Sequence, residues 1–244
     1  MKIIIPIIII ILIIIIIINC NCNNNNNNIN NNENNNYNLQ NIQQKDVNTL
    51  YKLMSIFSYN LDKNNIDYII DAGTLLGSIR HGGLIPWDDD IDIMIIGKNI
   101  DEIDLMLHKI LKGESNIIIK RSSRNNLIKL FLNGNYNVWV DVFPSILNAS
   151  GDKYYLLPPW EKNWISKNEL YPIKKYKFGP LLLSGPNDSK SYLNRKFPFW
   201  NIFISKYRHD KNNDDKNVLF KTINWITNIH IIYNNVQPCA LPEY

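Results

Sequence analysis

Four aspartates stand within five positions in "DDDID", residues 88–92. Charges that close repel one another, and carboxylates entering a sheet lose hydration, so a fold that keeps them needs protons or a cation among them. From Asp90 the run "DIDIMII" alternates carboxylate and apolar residues with the period of a strand. Alternate side chains of a strand share a face, so Asp90 and Asp92 project together, and Asp88 joins them where the chain is already extended. Asp89 is expected to point away, toward solvent or a cap. Asp141 sits in a second strand-like run, "VWVDVF", between Val140 and Val142, and an acid in that setting needs a partner. Beside Asp90 and Asp92 it completes an all-oxygen cluster suited to a hard divalent cation, Mg²⁺ or Mn²⁺. The alternative is a pairing with a lysine or arginine of the core. Carboxylates plus substrate phosphates are the usual Mg²⁺ environment, and such an ion polarises a phosphoryl oxygen and stabilises the leaving phosphate.

Just upstream, "GTLLGSIRHGG" places Gly73 and Thr74 at a turn opening a short helix. Free backbone N–H groups and the helix dipole attract phosphate there. Thr74 is the expected N-cap, and Gly82-Gly83 the expected stop. Arg80 and His81, at the far end of that helix, are candidate contacts for a diphosphate. Each feature has a plainer reading. A D-x-D pair decorates many strand ends, a Gly-Thr turn is often only a cap, Arg80 and His81 suit a solvated surface, and Trp87 suits the core. Their conjunction in some twenty residues favours phosphoryl or nucleotidyl transfer, with Asp90, Asp92 and Asp141 carrying the chemistry.

These residues need a scaffold, and the surrounding periodicity supplies one. Leu50, Leu53, Ile56, Phe57 and Leu61 mark a helix over 45–62, and "IDYIID" (66–71) a strand. An amphipathic helix follows the D-x-D strand at 99–113, then strands at 116–121, 126–132 and 137–143. That order is an α/β or α+β domain, a mixed sheet flanked by helices. Beyond Phe143 the pattern thins to strand and turn pieces and a short helix ending before Pro198. The tail, 209–244, is polar and then apolar, with no functional reading.

The N-terminal region follows different rules. After one lysine, Ile3–Ile18 is wholly apolar. As a helix it rises about 24 Å, against a hydrocarbon core of roughly 30 Å, so residues 1–18 are expected to be a signal peptide or a short signal-anchor in contact with the membrane. Residues 19–40 are an Asn-rich linker. Either N-terminal reading sends the chain into the secretory pathway: the ER or Golgi lumen, a membrane anchor, or secretion. The sequons at Asn148 and Asn187 agree with that address. Three cysteines exclude a disulfide framework. A net charge of +4 and pI near 8.8 argue against a nucleic-acid partner and suit an anionic small substrate.

The stretch "GTLLGSIRHGGLIPWDDDIDI" closely resembles the signature of the LicD/fukutin family, which includes bacterial phosphorylcholine transferases and the fukutin-related protein of animals. The resemblance implies a nucleotidyltransferase-like fold. It also implies transfer of a phosphorylated alcohol (phosphocholine, ribitol phosphate or similar) from a CDP-linked donor onto a glycan or glycoprotein. The family's first-block metal carboxylates fall on Asp88, Asp90 and Asp92, its later strand acid on Asp141, and the glycine-hydroxyl turn of the wider superfamily on Gly73 and Thr74. "KFGPLLLSGPNDSKSYLNRKFPFW" resembles the closing segment, with Pro198 where the family has glycine. The expected domain is 41–208. Competing readings are a nucleotidyltransferase that makes an activated alcohol or sugar, and an inactive member that only binds a glycan or a partner.

Overall fold

The computed structural model describes residues 41–198, 200–201, 204–206, 221–223 and 239–243. The apolar run, the Asn-rich tract and most of the tail lie outside the described residues.

Helix α1 (Gln44–Lys63) forms on the expected spacing, and its apolar stripe of Leu50, Leu53, Met54, Phe57 and Leu61 is 0% exposed. It packs against three strands of the main sheet: β2 (Asp90–Ile95), β4 (Ile128–Leu132) and β5 (Asn135–Leu147). With β1 (Tyr68–Ile70) and β3 (Ile117–Arg121) the strand order is β1-β2-β5-β4-β3. Only β2 and β5 run parallel in that path; the other pairs are antiparallel. The crossover from β2 to β5 passes through α3 (Ile100–Ile110) and the β3–β4 hairpin. Helix α3 starts on a capping box: the Asn99 side chain accepts the Asp101 and Glu102 N–H groups, and Glu102 accepts the Asn99 N–H at 2.7 Å.

Alternation divides the residues of the sheet. Ile91, Ile93, Ile128, Leu130, Val140 and Val142 are fully buried in the core. Strand geometry then puts Asp90, Asp92, Lys129 and Asp141 on the opposite face.

Strand β5 runs four residues past the expected Phe143. Its end pairs with β6 (Lys153–Leu156), which pairs with β7 (Trp164–Ser166). Helix α2 (Ala72–Arg80) lies against β2 and β8 (Lys174–Phe178), and α5 (Ser189–Lys196) lies against α2. Between them are the one-turn α4 (Lys167–Leu170) and β9 (Leu181–Gly185), which pairs with β8. β10 (Ile204–Lys206) and β11 (Lys221–Ile223) form an antiparallel pair. Ala240 bridges to Leu84, and its carbonyl accepts the Tyr51 hydroxyl at 2.9 Å. No helix among the described residues is long and apolar enough to cross a membrane.

Candidate active site

The parallel β2–β5 register makes Asp92 and Asp141 direct neighbours and sets Asp90 beside Trp139. Carboxylate oxygens of Asp90, Asp92 and Asp141 come within 4.8 Å of one another; Asp88, Asp89 and Asp90 form a second such group, sharing Asp90. The structure thus brings together the four acids that the sequence singles out. It corrects the reading of Asp89, which is 1% exposed rather than solvent-facing. Strand β2 begins only at Asp90, so alternation does not govern the residue before it.

Burial pushes the Asp88 and Asp92 carboxyls well above the usual carboxylate range, with the charge of Asp90 next in each case. Asp141 is pushed up to about 6, first by burial, while Lys129 pulls it back down. Lys129 stands opposite Asp141 in the β4–β5 register, with Nζ 3.1 Å from Oδ1 and 3.9 Å from the centre of the Trp139 ring. Both sequence readings of Asp141 therefore hold: it pairs with a lysine and also joins the acidic cluster. At an effective dielectric near 20, two charges about 4 Å apart interact by roughly 4 kcal/mol. Once all three ionise, Asp90, Asp92 and Asp141 carry three negative charges against the single ammonium of Lys129. The donor set is hard, all-oxygen and underneutralised, so its residues fit Mg²⁺ or Mn²⁺.

Helix α2 begins one turn away. Its N-cap is Asp71, whose carboxylate accepts the Ala72 N–H at 2.6 Å. Thr74 is inside the first turn, and its hydroxyl instead accepts the Asp92 N–H at 2.7 Å, tying the helix to the strand that carries the acids. Among the described residues the Gly73 and Thr74 N–H groups have no protein acceptor. A methyl group on Gly73 would sit 2.7 Å from Asp88 Oδ2 and 3.8 Å from Asp92 Oδ2, so only glycine lets the turn approach the carboxylates this closely. Unpaired N–H groups at a helix start, beside a cation site, are a natural seat for phosphate.

The basic pair divides. Arg80 is half-buried, and burial lowers its guanidinium to about 10 while the charge of Asp88 works the other way, so it senses the cluster. His81 is buried edge-on to Trp87, at 5.7 Å between ring centres, and accepts Arg80 Nε at 3.1 Å. It orients Arg80 from behind, and Trp87 is a core residue as expected.

Besides Lys129, which the sequence leaves as an unspecified lysine or arginine, three residues at the site escape the sequence reading. Asp71 passes there for the end of a strand, although an acid before Ala-Gly-Thr is an N-cap pattern. Its carboxylate also accepts Tyr192 Oη at 2.7 Å and Lys196 Nζ at 2.7 and 2.8 Å. Tyr192 and Lys196 are four apart on α5, hence on one helix face, which is the only local signal they give.

A mixed sheet with carboxylates on adjacent strands, and an open helix start beside them, defines a nucleotidyltransferase-type domain. Residues 65–188 match the family described as LicD/FKTN/FKRP, nucleotidyltransferase domain, and the chain belongs to that family. An uncharacterized protein of Rickettsia typhi is 36% identical over 168 residues, which are 68% of this chain and 51% of that protein. The lipopolysaccharide cholinephosphotransferase LicD of Haemophilus influenzae is 46% identical over 41 residues, 17% of this chain and 16% of that one. The ribitol 5-phosphate transferase FKRP of Mus musculus is 23% identical over 141 residues, 56% of this chain and 28% of that one. The chain thus spans about half the length of the first of these relatives. Among solved structures, ANT(2")-Ia in complex with adenylyl-2"-tobramycin is 13% identical over 61% of this chain and 79% of that one, with a TM-score of 0.40.

Proposed function

We propose that this chain is a metal-dependent phosphotransferase that moves a phosphorylated alcohol from a CDP-linked donor onto a glycan. The observation that carries the reading is the convergence of Asp90, Asp92 and Asp141, by strand register, beside the unpaired Gly73 and Thr74 N–H groups. Two relatives whose names specify transfer of a phosphorylated alcohol, the cholinephosphotransferase LicD and the ribitol 5-phosphate transferase FKRP, support it.

In this reading Asp88, Asp90, Asp92 and Asp141 hold Mg²⁺ or Mn²⁺. When bound, the ion offsets their charge, polarises a phosphoryl oxygen and stabilises the leaving CMP phosphate. The Gly73 and Thr74 amides and the Arg80 guanidinium receive the donor phosphates. Thr74 keeps the helix start in register with Asp92. Asp141 approaches from its own strand as a further ligand; its second candidate role is to accept, on a carboxylate oxygen, the proton of the attacking glycan hydroxyl. We further propose that the chain works in the secretory pathway, on the strength of the apolar run 3–18 and the sequons at Asn148 and Asn187.

The test is to incubate the purified chain with CDP-choline, CDP-ribitol and CDP-glycerol, each together with a mixture of glycan acceptors, and to assay CMP. Release from one donor, abolished by EDTA, is the expected result. Release of pyrophosphate from CTP with a phosphorylated alcohol would instead mark an enzyme that makes the activated donor. Binding without turnover of any donor would mark an inactive member.

A further inference from the structure

We infer that Lys196 and Tyr192 are positioning residues for the donor diphosphate: through Asp71 they hold the first turn of α2 in the shape that presents the Gly73 and Thr74 amides. The inference rests on the proposed role of that turn as the donor phosphate site.

Asp71 is 1% exposed, and three elements meet on it. Its carboxylate takes Ala72 N–H from α2 and Tyr192 Oη and Lys196 Nζ from α5. Its N–H donates to the Asp92 carbonyl of β2 at 3.0 Å, and its own carbonyl accepts Leu75 N–H at 2.9 Å. Asp71 therefore fixes the helix start relative to the strand of the acids, and α5 closes over it.

The backbone gives this arrangement a purpose beyond packing. Ala72 has φ +40°, in the left-handed region that alanine rarely adopts. Such a conformation persists only where surrounding contacts over-determine it. The contacts here are those on Asp71, one residue earlier. Without the Lys196 charge and the Tyr192 hydroxyl, the carboxylate loses three of its four hydrogen bonds, and Ala72 is free to relax toward an ordinary helical φ. That relaxation rotates the peptides that follow, which carry the Gly73 and Thr74 N–H groups. Fold stability alone does not require the arrangement, because a buried ion pair is often replaceable by apolar residues at no loss. Lys196, with its side chain only 11% exposed, is held where a cation is expensive and where its effect reaches the phosphate turn.

The test uses the full chain and compares wild type with Tyr192→Phe, Lys196→Met and Lys196→Arg. Calorimetry measures affinity for Mn²⁺ alone, then for inorganic pyrophosphate and for CDP in its presence; thermal unfolding reports whether each variant is folded. Tyr192→Phe and Lys196→Met are expected to weaken pyrophosphate binding about tenfold or more, the scale of a hydrogen bond to a charged group. Mn²⁺ affinity should be unchanged, and Lys196→Arg should regain part of the loss. Tyr192→Phe removes one hydroxyl only, so it decides the matter if Lys196→Met fails to fold. Folded variants that bind pyrophosphate like wild type overturn the inference, as does a loss that falls equally on Mn²⁺. A wild type that binds pyrophosphate but uses no CDP-linked donor sinks the functional reading alone, since the variants' pyrophosphate affinities still decide the positioning role. A wild type that binds neither overturns both.

Discussion

At the scale of single residues, what distinguishes the four acids is which element holds each one. Asp90 and Asp92 share a strand and a face, so each Asn replacement removes one member of one cluster and relieves repulsion. Asp90→Asn and Asp92→Asn are each expected to lower CMP release by at least about a hundredfold, the lower end of what a lost proton carrier or ligand does. The folded state should survive, so an unchanged far-ultraviolet spectrum must accompany the loss; collapse of the fold would mean that the acids are structural. Asp141 is harder to place, because Lys129 already partners it. If it is a metal ligand, Asp141→Asn raises the Mg²⁺ concentration for half-maximal activity. If it serves only as base, the variant keeps its Mg²⁺ dependence and loses the acidic limb of its pH–rate profile. The ligand role is the expected one, because a buried carboxylate among carboxylates needs a cation before it can do anything else. Ala72 gives a prediction of opposite sign: Ala72→Gly should raise the melting temperature, since glycine adopts a positive φ without the penalty of about 1–2 kcal/mol that alanine carries there. A lower melting temperature would show that Ala72 is not strained.

At the scale of elements, the α2–β2 junction is the hinge of the site, and one hydroxyl defines it. Thr74→Val keeps the shape of the side chain and leaves the Asp92 N–H without its acceptor. An unsatisfied buried N–H costs about 1–3 kcal/mol, so Thr74→Val should unfold at lower temperature, while Thr74→Ser should not. Equal melting of Val and Ser variants would mean that the bond is dispensable. The junction also shows what a sequence discloses. The alternation in "DIDIMII" exposed both the strand and the face of Asp90 and Asp92, and the flanking valines exposed Asp141 as a buried acid, because those signals are local and periodic. Lys129 was hidden, since its pairing depends on the register of a hairpin that periodicity does not fix. Asp71 was hidden for a similar reason: its partners Tyr192 and Lys196 are more than a hundred residues away, on a helix with little apolar pattern of its own. The β6–β7 hairpin was missed because its strands are only four and three residues long, too short for alternation to register.

At the scale of the whole molecule, the site is an acidic island in a chain whose net charge is +4, and that contrast governs stability. Without a cation, the carboxyls of Asp88 and Asp92 are raised well above their ordinary range and that of Asp141 to about 6. Each is a group that holds its proton more tightly in the folded state than in the unfolded chain. Above the unfolded carboxylate value of about 4, the folded protein therefore binds more protons than the unfolded one, and stability falls as pH rises. This is the reverse of the familiar salt-bridged aspartate, whose stability is lost toward acid. In EDTA, the melting temperature should decline as pH rises above the unfolded carboxylate value of about 4, Asp141 contributing up to about 6 and Asp88 and Asp92 adding to the decline in the same direction. A divalent ion binds the ionised cluster only, so excess Mg²⁺ at neutral pH should raise the melting temperature and flatten that decline. The Asp92→Asn variant should show a shallower slope in EDTA and a smaller response to Mg²⁺, because it has one fewer carboxyl to ionise. Melting that rises steadily with pH in EDTA, or a wild type indifferent to Mg²⁺, would mean that the acids find their compensating charge within the chain and that the metal is no part of the site.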